Sequence, residues 1–354
     1  MQSIYSITRN ELEEYFININ EKKFRATQVF EWLYRKEVTS FDEMTNLSKD
    51  VISKLKEDFY FNSLKMVAKQ EDELVKKYLF ELKDGHRIES VLMEHDYGYS
   101  ICISSQIGCN MGCAFCQSGR LKKIRNLEAD EMLLQVIEVQ KDLGERISHI
   151  VIMGIGEPFD NYDNFMNFIR IVNDPYSLAI GQRHITVSTS GIVPKIYEFA
   201  DEETGVNLAI SLHAPNNEIR SQIMKINNAY KIEEIIEAVK YYLEKTNRRV
   251  TFEYIMLKDV NDSEECANEL SKLLRGINCY VNLIPYNETE NIQFKRSNTS
   301  QIGVFYDILK KNNINVTIRK EFGSKVSAAC GQLRAEKEIN KESKYGELFF
   351  NRYR

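Results

Sequence analysis

The sequence predicts an α/β fold: a partial (β/α) barrel preceded by a small N-terminal helical domain and a β-hairpin adaptor. Three observations carry that expectation. From about residue 99 onward, short β-branched runs alternate with stretches of helical periodicity, the pattern of parallel β/α units. The first ninety residues or so lack that alternation. The residues that follow the strand-like runs are polar and specific, as expected where a barrel gathers its chemistry at the carboxyl ends of its strands.

Taken in order, residues 24–36 place Val29, Phe30 and Leu33 at helical spacing. A second helix is expected from about 48 to 59, with Ser48 as its cap. The β-like runs 74–82 and 87–93 are joined through Asp84-Gly85, a strong hairpin signal. Expected core strands are 100–104, 149–153, 184–188, 206–211, 250–256, 280–284 and 315–318. Helices 129–143, 232–244 and 263–274 fall between them. The expected division is therefore a module with its adaptor at 1–90, a core at 91–335 and a tail at 336–354. The tail mixes both charges and is expected to fray. No internal repeat or low-complexity tract is visible.

Composition narrows the class. With 354 residues, 43% of them hydrophobic, the chain can bury a sizeable core in water, and no apolar run approaches bilayer length. The first ten residues lack the apolar core of a signal peptide. Seven cysteines, an odd number, suit reducing cytoplasm better than a disulfide scaffold. A cytoplasmic protein without a membrane partner, and a monomer, is expected. The net charge of −5 excludes a generally basic surface but leaves room for a local phosphate-binding patch.

Cys109, Cys113 and Cys116 stand as Cys-x3-Cys-x2-Cys. This spacing can wrap three thiolates around one metal centre. A structural zinc site is closed by four ligands, and no His or fourth Cys follows at finger-like spacing. An open coordination position is the natural reading, and thiolates suit iron–sulfur clusters. Three buried cysteines, or a zinc knuckle completed from elsewhere, is the alternative. Further polar loops follow the later strands: Gly154-Ile155-Gly156-Glu157-Pro158, Ser188-Thr189-Ser190-Gly191, Ser211-Leu212-His213 and Pro285-Tyr286-Asn287. Alone, the glycines mark a tight turn and His213 a hydrogen-bonded structural residue. Together, beside the cysteines, Gly156, Glu157, Ser188, Ser211, Leu212, His213 and Asn287 become candidates for holding a polar ligand. The glycines are expected to let backbone approach it.

The cysteine spacing resembles the signature of radical S-adenosylmethionine (SAM) enzymes, in which three thiolates hold a [4Fe–4S] cluster and its free iron chelates SAM. The resemblance becomes specific in the order of the motifs. Gly108 to Cys116, Met153 to Pro158, Val187 to Gly191, Ser211 to Asn216, Val281 to Pro285 and Ala328-Ala329-Cys330-Gly331-Gln332-Leu333 succeed one another as in the RlmN/Cfr family of radical-SAM ribosomal RNA adenine methyltransferases. Gly156-Glu157-Pro158 and Phe24-Arg25-Ala26-Thr27-Gln28 look like the RlmN branch, which methylates carbon 2 of an adenosine in 23S rRNA and, in some members, a tRNA adenosine. The Cfr branch methylates carbon 8, confers antibiotic resistance and more often has Ala after that Glu. Gln117-Ser118-Gly119 departs from the commoner Ala-Ser or Ser-Thr, which puts the shape of the following loop in question.

The resemblance implies a route and roles. Carbon 2 of adenine has no lone pair, so displacement of the SAM methyl group cannot work there. Two SAM molecules are used per turnover. One methylates Cys330, acting as a thiolate nucleophile. The second, on the [4Fe–4S] cluster, is cleaved to a radical that abstracts hydrogen from that methyl group. The resulting carbon adds to adenine. Cys102 then attacks the Cys330 sulfur and releases the base, leaving a disulfide bond between them. Proton removal from the ring carbon falls to Glu89. In a strand Glu89 shares a face with Val91 and Met93, an apolar setting that would raise its pKa. The implied partners are 23S rRNA, tRNA in some members, and a reductant such as flavodoxin or ferredoxin. Cys266 and Cys279 read as core residues.

RNA contact is less legible. Arg120, Lys122, Lys123 and Arg125 follow the cysteines, and Lys22, Lys23 and Arg25 offer a second basic face. A solvated charge run is the plainer reading of each. Two other functions fit parts of the pattern: a radical-SAM enzyme acting on a small molecule, which would not need Cys102 and Cys330, and a non-catalytic zinc-bearing RNA-binding protein.

Overall fold

The computed structural model describes residues 1–288 and 292–319. The N-terminal module is built by capping and apolar stripes. A two-residue strand β1 (Gln2–Ser3) leads into α1 (Arg9–Asn18), where Thr8 and Glu11 form a reciprocal capping box. Helix α2 (Arg25–Tyr34) buries Ala26, Val29, Phe30, Leu33 and Tyr34 along one stripe. Helix α3 (Lys49–Asp58) starts at Ser48, whose side chain accepts from Val51 N. Strand β2 (Phe59–Tyr60) returns to pair in parallel with β1. The module has no core of its own. Leu12, Phe16 and Phe30 belong to the same hydrophobic cluster as Leu133 and Phe168 of the core, and Arg9 Nε pairs with Asp174 at 2.9 Å.

Strands β3 (Lys65–Asp72), β4 (Val75–Glu81), β5 (Arg87–His95) and β6 (Gly98–Cys102) run antiparallel to one another. A short ribbon, β7 (Gln106–Ile107) with β8 (Arg125–Asn126), brackets the cysteine loop. Then the alternation begins: α4 (Ala129–Leu143), β9 (Ile147–Ile152), α5 (Tyr162–Asn173), β10 (Ile185–Thr189), α6 (Val193–Asp201), β11 (Asn207–Ser211), α7 (Asn217–Ile223), α8 (Ile232–Thr246), β12 (Val250–Met256), α9 (Glu264–Leu273), β13 (Cys279–Pro285), α10 (Thr299–Lys311) and β14 (Val316–Ile318). The large sheet has the order β14-β13-β12-β11-β10-β9-β6-β5-β4-β3, parallel from β6 to β14. It is an open ten-stranded sheet, the partial barrel expected.

The expected core strands, the hairpin and the four expected helices at 48–59, 129–143, 232–244 and 263–274 lie within two residues of the observed bounds. The hairpin β4/β5 is not set apart from the core. It pairs through Val91↔Cys102 into the same sheet, so residue 90 falls inside a strand. The pleat divides its residues between two faces. Tyr78 Oη donates to Asp142 and Ser90 Oγ to Gln135, so that face lies on α4. The other face carries Val75, Met93 and Cys102 as a small separate cluster. Tail residues 336–354 lie outside the described residues. No helix among the described residues is long and apolar enough to cross a membrane.

Candidate cluster and cofactor site

A cavity of about 350 Å³ opens at the carboxyl ends of β6 and β9 to β13, and Cys109, Cys113 and Cys116 line it. The cysteine loop needs Gly108 at its start, because φ is +73° and a Cβ there would lie 2.3 Å from Lys122 O. Cys109 N then donates to Leu121 O, and Ala114 N to Ile223 O at the end of α7. Burial pushes the Cys109 thiol up to about 12 and Cys113 well above the ordinary thiol value, the neighbouring thiols adding to the effect. The thiols therefore hold their protons until a metal displaces them. Among the described residues no three His, Cys, Asp or Glu side chains converge on one ion. Three soft thiols on one short loop that line a single cavity suit an iron–sulfur cluster, whose irons take one thiolate each.

The glycine loop meets the chain between β6 and β7 at van der Waals limits. A Cβ on Gly154 would sit 2.6 Å from Ile103 O, and one on Gly156, at φ +113°, 2.6 Å from Gln106 Cβ. The close approach these glycines permit is thus to the chain's own β6–β7 connection, not only to a ligand. Glu157 borders the cavity and spends its carboxylate on backbone: Phe159 N at 3.1 Å and Ser190 N at 2.7 Å. Burial raises its pKa against those hydrogen bonds. Ser188 and Ser211 end adjacent strands, their hydroxyls 3.3 Å apart at the cavity wall.

His213 also lines the cavity, its ring edge-on to Phe115. Ile255 N donates to His213 Nδ1 at 3.1 Å, which fixes the proton of the neutral ring on Nε2. Burial, then the Arg220 charge, lowers its pKa to about 3. Asn287 lies exposed at the rim. Leu212 does not face the cavity: its side chain is in the core and its carbonyl accepts from Arg220 Nε.

Cys102 ends β6, is buried and lines the same cavity. Its cross-strand partner Val91 lines the cavity with Met93. Glu89, two residues back on the same pleat face, is buried and lies outside the lining set. Cys330 lies outside the described residues. No disulfide joins the six described cysteines to one another. Cys266 and Cys279 are buried in α9 and β13, as expected of core residues.

Sequence reasoning missed Glu253 and Arg319, which line the cavity, and Arg220 beneath it. Glu253 accepts from Asn282 Nδ2 at 2.8 Å, and burial raises its pKa. Its signal was present, since one charge stands in the middle of the apolar run 250–256. Of the basic run, Lys123 pairs with Asp160 and Arg125 with Asp84 and Glu131, so both brace the site. Arg120 and Lys122 remain exposed. In the second basic group Arg25 is tied to Gln28 and Asn46 O, while Lys22 and Lys23 face solvent.

An open parallel sheet with a three-cysteine loop behind its first parallel strand defines a radical-SAM protein, and residues 103–270 match the model of the Radical SAM superfamily. Residues 3–60 match the ribosomal RNA large subunit methyltransferase N-terminal domain. The chain belongs to the RlmN family. It is 57% identical over 350 residues to the probable dual-specificity RNA methyltransferase RlmN of Enterococcus faecalis, covering 96% of this chain and 98% of that one. It is also 57% identical over 342 residues to the probable dual-specificity RNA methyltransferase RlmN of Streptococcus mutans, covering 94% of this chain and 95% of that one. A crystal structure of a radical SAM methyltransferase from Sphaerobacter thermophilus superposes with a TM-score of 0.87 at 41% identity, covering 94% of this chain and 99% of that one.

Proposed function

We propose that this chain methylates carbon 2 of a specific adenosine in 23S rRNA, and an adenosine in tRNA as well, using two SAM molecules per turnover. Kinship with relatives named as dual-specificity RNA methyltransferases supports the substrate class. The observation that carries the route is Cys102, which ends β6 and lines the same cavity as Cys109, Cys113 and Cys116. A radical-SAM enzyme acting on a small molecule has no use for it there.

Cys109, Cys113 and Cys116 would hold the [4Fe–4S] cluster, which supplies the electron for SAM cleavage when a reductant such as flavodoxin or ferredoxin delivers it. Gly156, Glu157, Ser188, Ser211, Leu212, His213 and Asn287 are the proposed SAM-binding positions, Leu212 through its backbone. Neutral His213 can donate from Nε2 to an oxygen acceptor. Cys330 carries the transferred carbon as a thioether. Glu89 would take the ring proton as the adduct gives up its unpaired electron, for which the oxidised cluster would be the acceptor; then the Cys102 thiolate attacks Cys330 Sγ, the S–S bond forms as the S–CH₂ bond breaks, and the freed carbon is protonated to a methyl group. Arg120 and Lys122 beside the cluster loop, with Lys22 and Lys23 on the module, are proposed phosphate contacts.

The test is mass spectrometry of rRNA and tRNA nucleosides from a strain lacking the gene and from one carrying it. 2-Methyladenosine should appear in both RNAs only when the gene is present. 8-Methyladenosine in its place would overturn the carbon-2 assignment, and unmodified tRNA the dual substrate.

A further inference from the structure

Arg220 of α7 is wholly buried, yet every group it bonds is neutral. Its Nη2 donates to Ser190 O at 2.6 Å and Ser211 O at 3.3 Å, Nε to Leu212 O at 3.2 Å, and Nη1 to Asn227 Oδ1 at 3.2 Å. No carboxylate among the described residues lies within 4.0 Å of it. A guanidinium does not shed its charge in a protein, and an uncompensated buried cation is costly. Cys113 interacts electrostatically with Arg220, and the Glu157 carboxylate is committed to the backbone of Phe159 and Ser190. The same helix holds the cysteine loop directly, since Ala114 N donates to Ile223 O at 2.9 Å.

We propose that Arg220 is a positioning residue that also tunes the reduction potential of the cluster: it fixes the carbonyls of the Ser190 and Ser211–Leu212 loops at the cavity wall and provides a fixed, buried positive charge beside the cysteine loop. The inference rests on the cluster reading of Cys109, Cys113 and Cys116. A cluster gains negative charge on reduction, so a fixed cation in a low-dielectric setting favours the reduced state and raises the potential. Arg also offers a planar fork for three carbonyls, which Lys cannot reproduce.

The two roles separate in an Arg220→Gln and Arg220→Lys pair. Each full-length protein is reconstituted anaerobically, its iron and sulfide are counted, and its potential is read by EPR-monitored redox titration alongside SAM affinity. Arg220→Gln should move the potential to more negative values. Arg220→Lys should leave the potential near wild type while weakening SAM binding about tenfold, the loss of one charge-assisted hydrogen bond or more. A wild-type potential in Arg220→Gln would overturn the charge role. Should that variant fail to fold, Arg220→Lys still decides: a negative shift in it would show that loop geometry sets the potential. Wild-type SAM affinity in Arg220→Lys would overturn the positioning role. A wild-type protein that assembles no iron–sulfur cluster would overturn the premise instead, a result distinct from the others.

Discussion

At His213 backbone geometry and hydrogen bonding agree on one chemical state. The residue sits at φ +58°, a left-handed conformation held by Asn261, whose Nδ2 donates to His213 O at 2.8 Å. With Nδ1 accepting from Ile255 N, protonation would break that bond, and burial lowers the pKa to about 3. Between pH 3 and the unfolded value near 6.5 the unfolded chain binds a proton that the folded chain does not. Stability from this residue is therefore full above pH 6.5 and falls as pH drops, by about 1.4 kcal/mol per unit. The stability gap between wild type and His213→Asn, measured by urea unfolding, should narrow from pH 7 to pH 5; a constant gap would contradict it. Gly154→Ala makes a second residue-scale prediction. Its Cβ would meet Ile103 O at 2.6 Å and Ser104 N at 2.8 Å, both backbone atoms that cannot swing away. A loss of about 1–3 kcal/mol is expected in thermal melts. The sequence showed Gly154-x-Gly156 as a turn, but its partner lies fifty residues away and only the fold reveals the clash.

Among the elements, the bracket around the cysteine loop depends on Arg125. It joins Asp84 in the hairpin turn to buried Glu131 in the first turn of α4, with bonds of 2.6 and 2.8 Å to the latter. Arg125→Ala would leave the buried Glu131 carboxylate with its bond from Glu128 N but without its arginine counter-ion, and about 2 kcal/mol should be lost, discounted for partial exposure of the arginine. A melting temperature equal to wild type would show that the bracket needs no such tie. The run containing Arg125 reads in sequence as either a solvated face or an RNA contact, because a sequence shows charge without showing partners. The elements that escaped sequence reading have similar causes. Strand β3, Lys65–Asp72, has mostly charged or half-exposed residues at the sheet edge and no apolar alternation. Helices α1, α5, α6, α7 and α10 fall in segments to which the sequence reading assigns no element. The alternating strands were legible because buried parallel strands read as apolar β-branched runs. Glu253 was passed over because a lone charge inside such a run lowers the strand signal while marking the cavity.

Over the whole molecule, one hydrophobic cluster joins the N-terminal module to the sheet, from Leu12 and Phe30 to Phe168 and Phe305. The described protein should therefore unfold in one cooperative transition; two separated calorimetric transitions, one belonging to the module, would contradict that. The same continuity gathers the candidate site. Cysteine loop, glycine loop, paired serines, His213 and Cys102 come from strands far apart in sequence and meet at one end of the sheet. Their order was legible through family resemblance, whereas their convergence followed from the topology. Removing Cys113 as Cys113→Ala should abolish the visible iron–sulfur absorption and methylation together, and retained activity would contradict the cluster assignment.

The central claim is that a protein-borne carbon on Cys330 is handed to RNA and released by Cys102. Cys102→Ala tests it directly. That protein should still assemble its cluster and cleave SAM, yet accumulate covalently joined to RNA through Cys330, because no thiolate remains placed to break the S–CH₂ bond. Denaturing electrophoresis with and without ribonuclease reads the outcome. The account predicts a slow-moving, ribonuclease-sensitive band that disappears when Cys330 is replaced as well. Turnover of Cys102→Ala at the wild-type rate, or SAM cleavage in the presence of substrate RNA with no adduct, would contradict it.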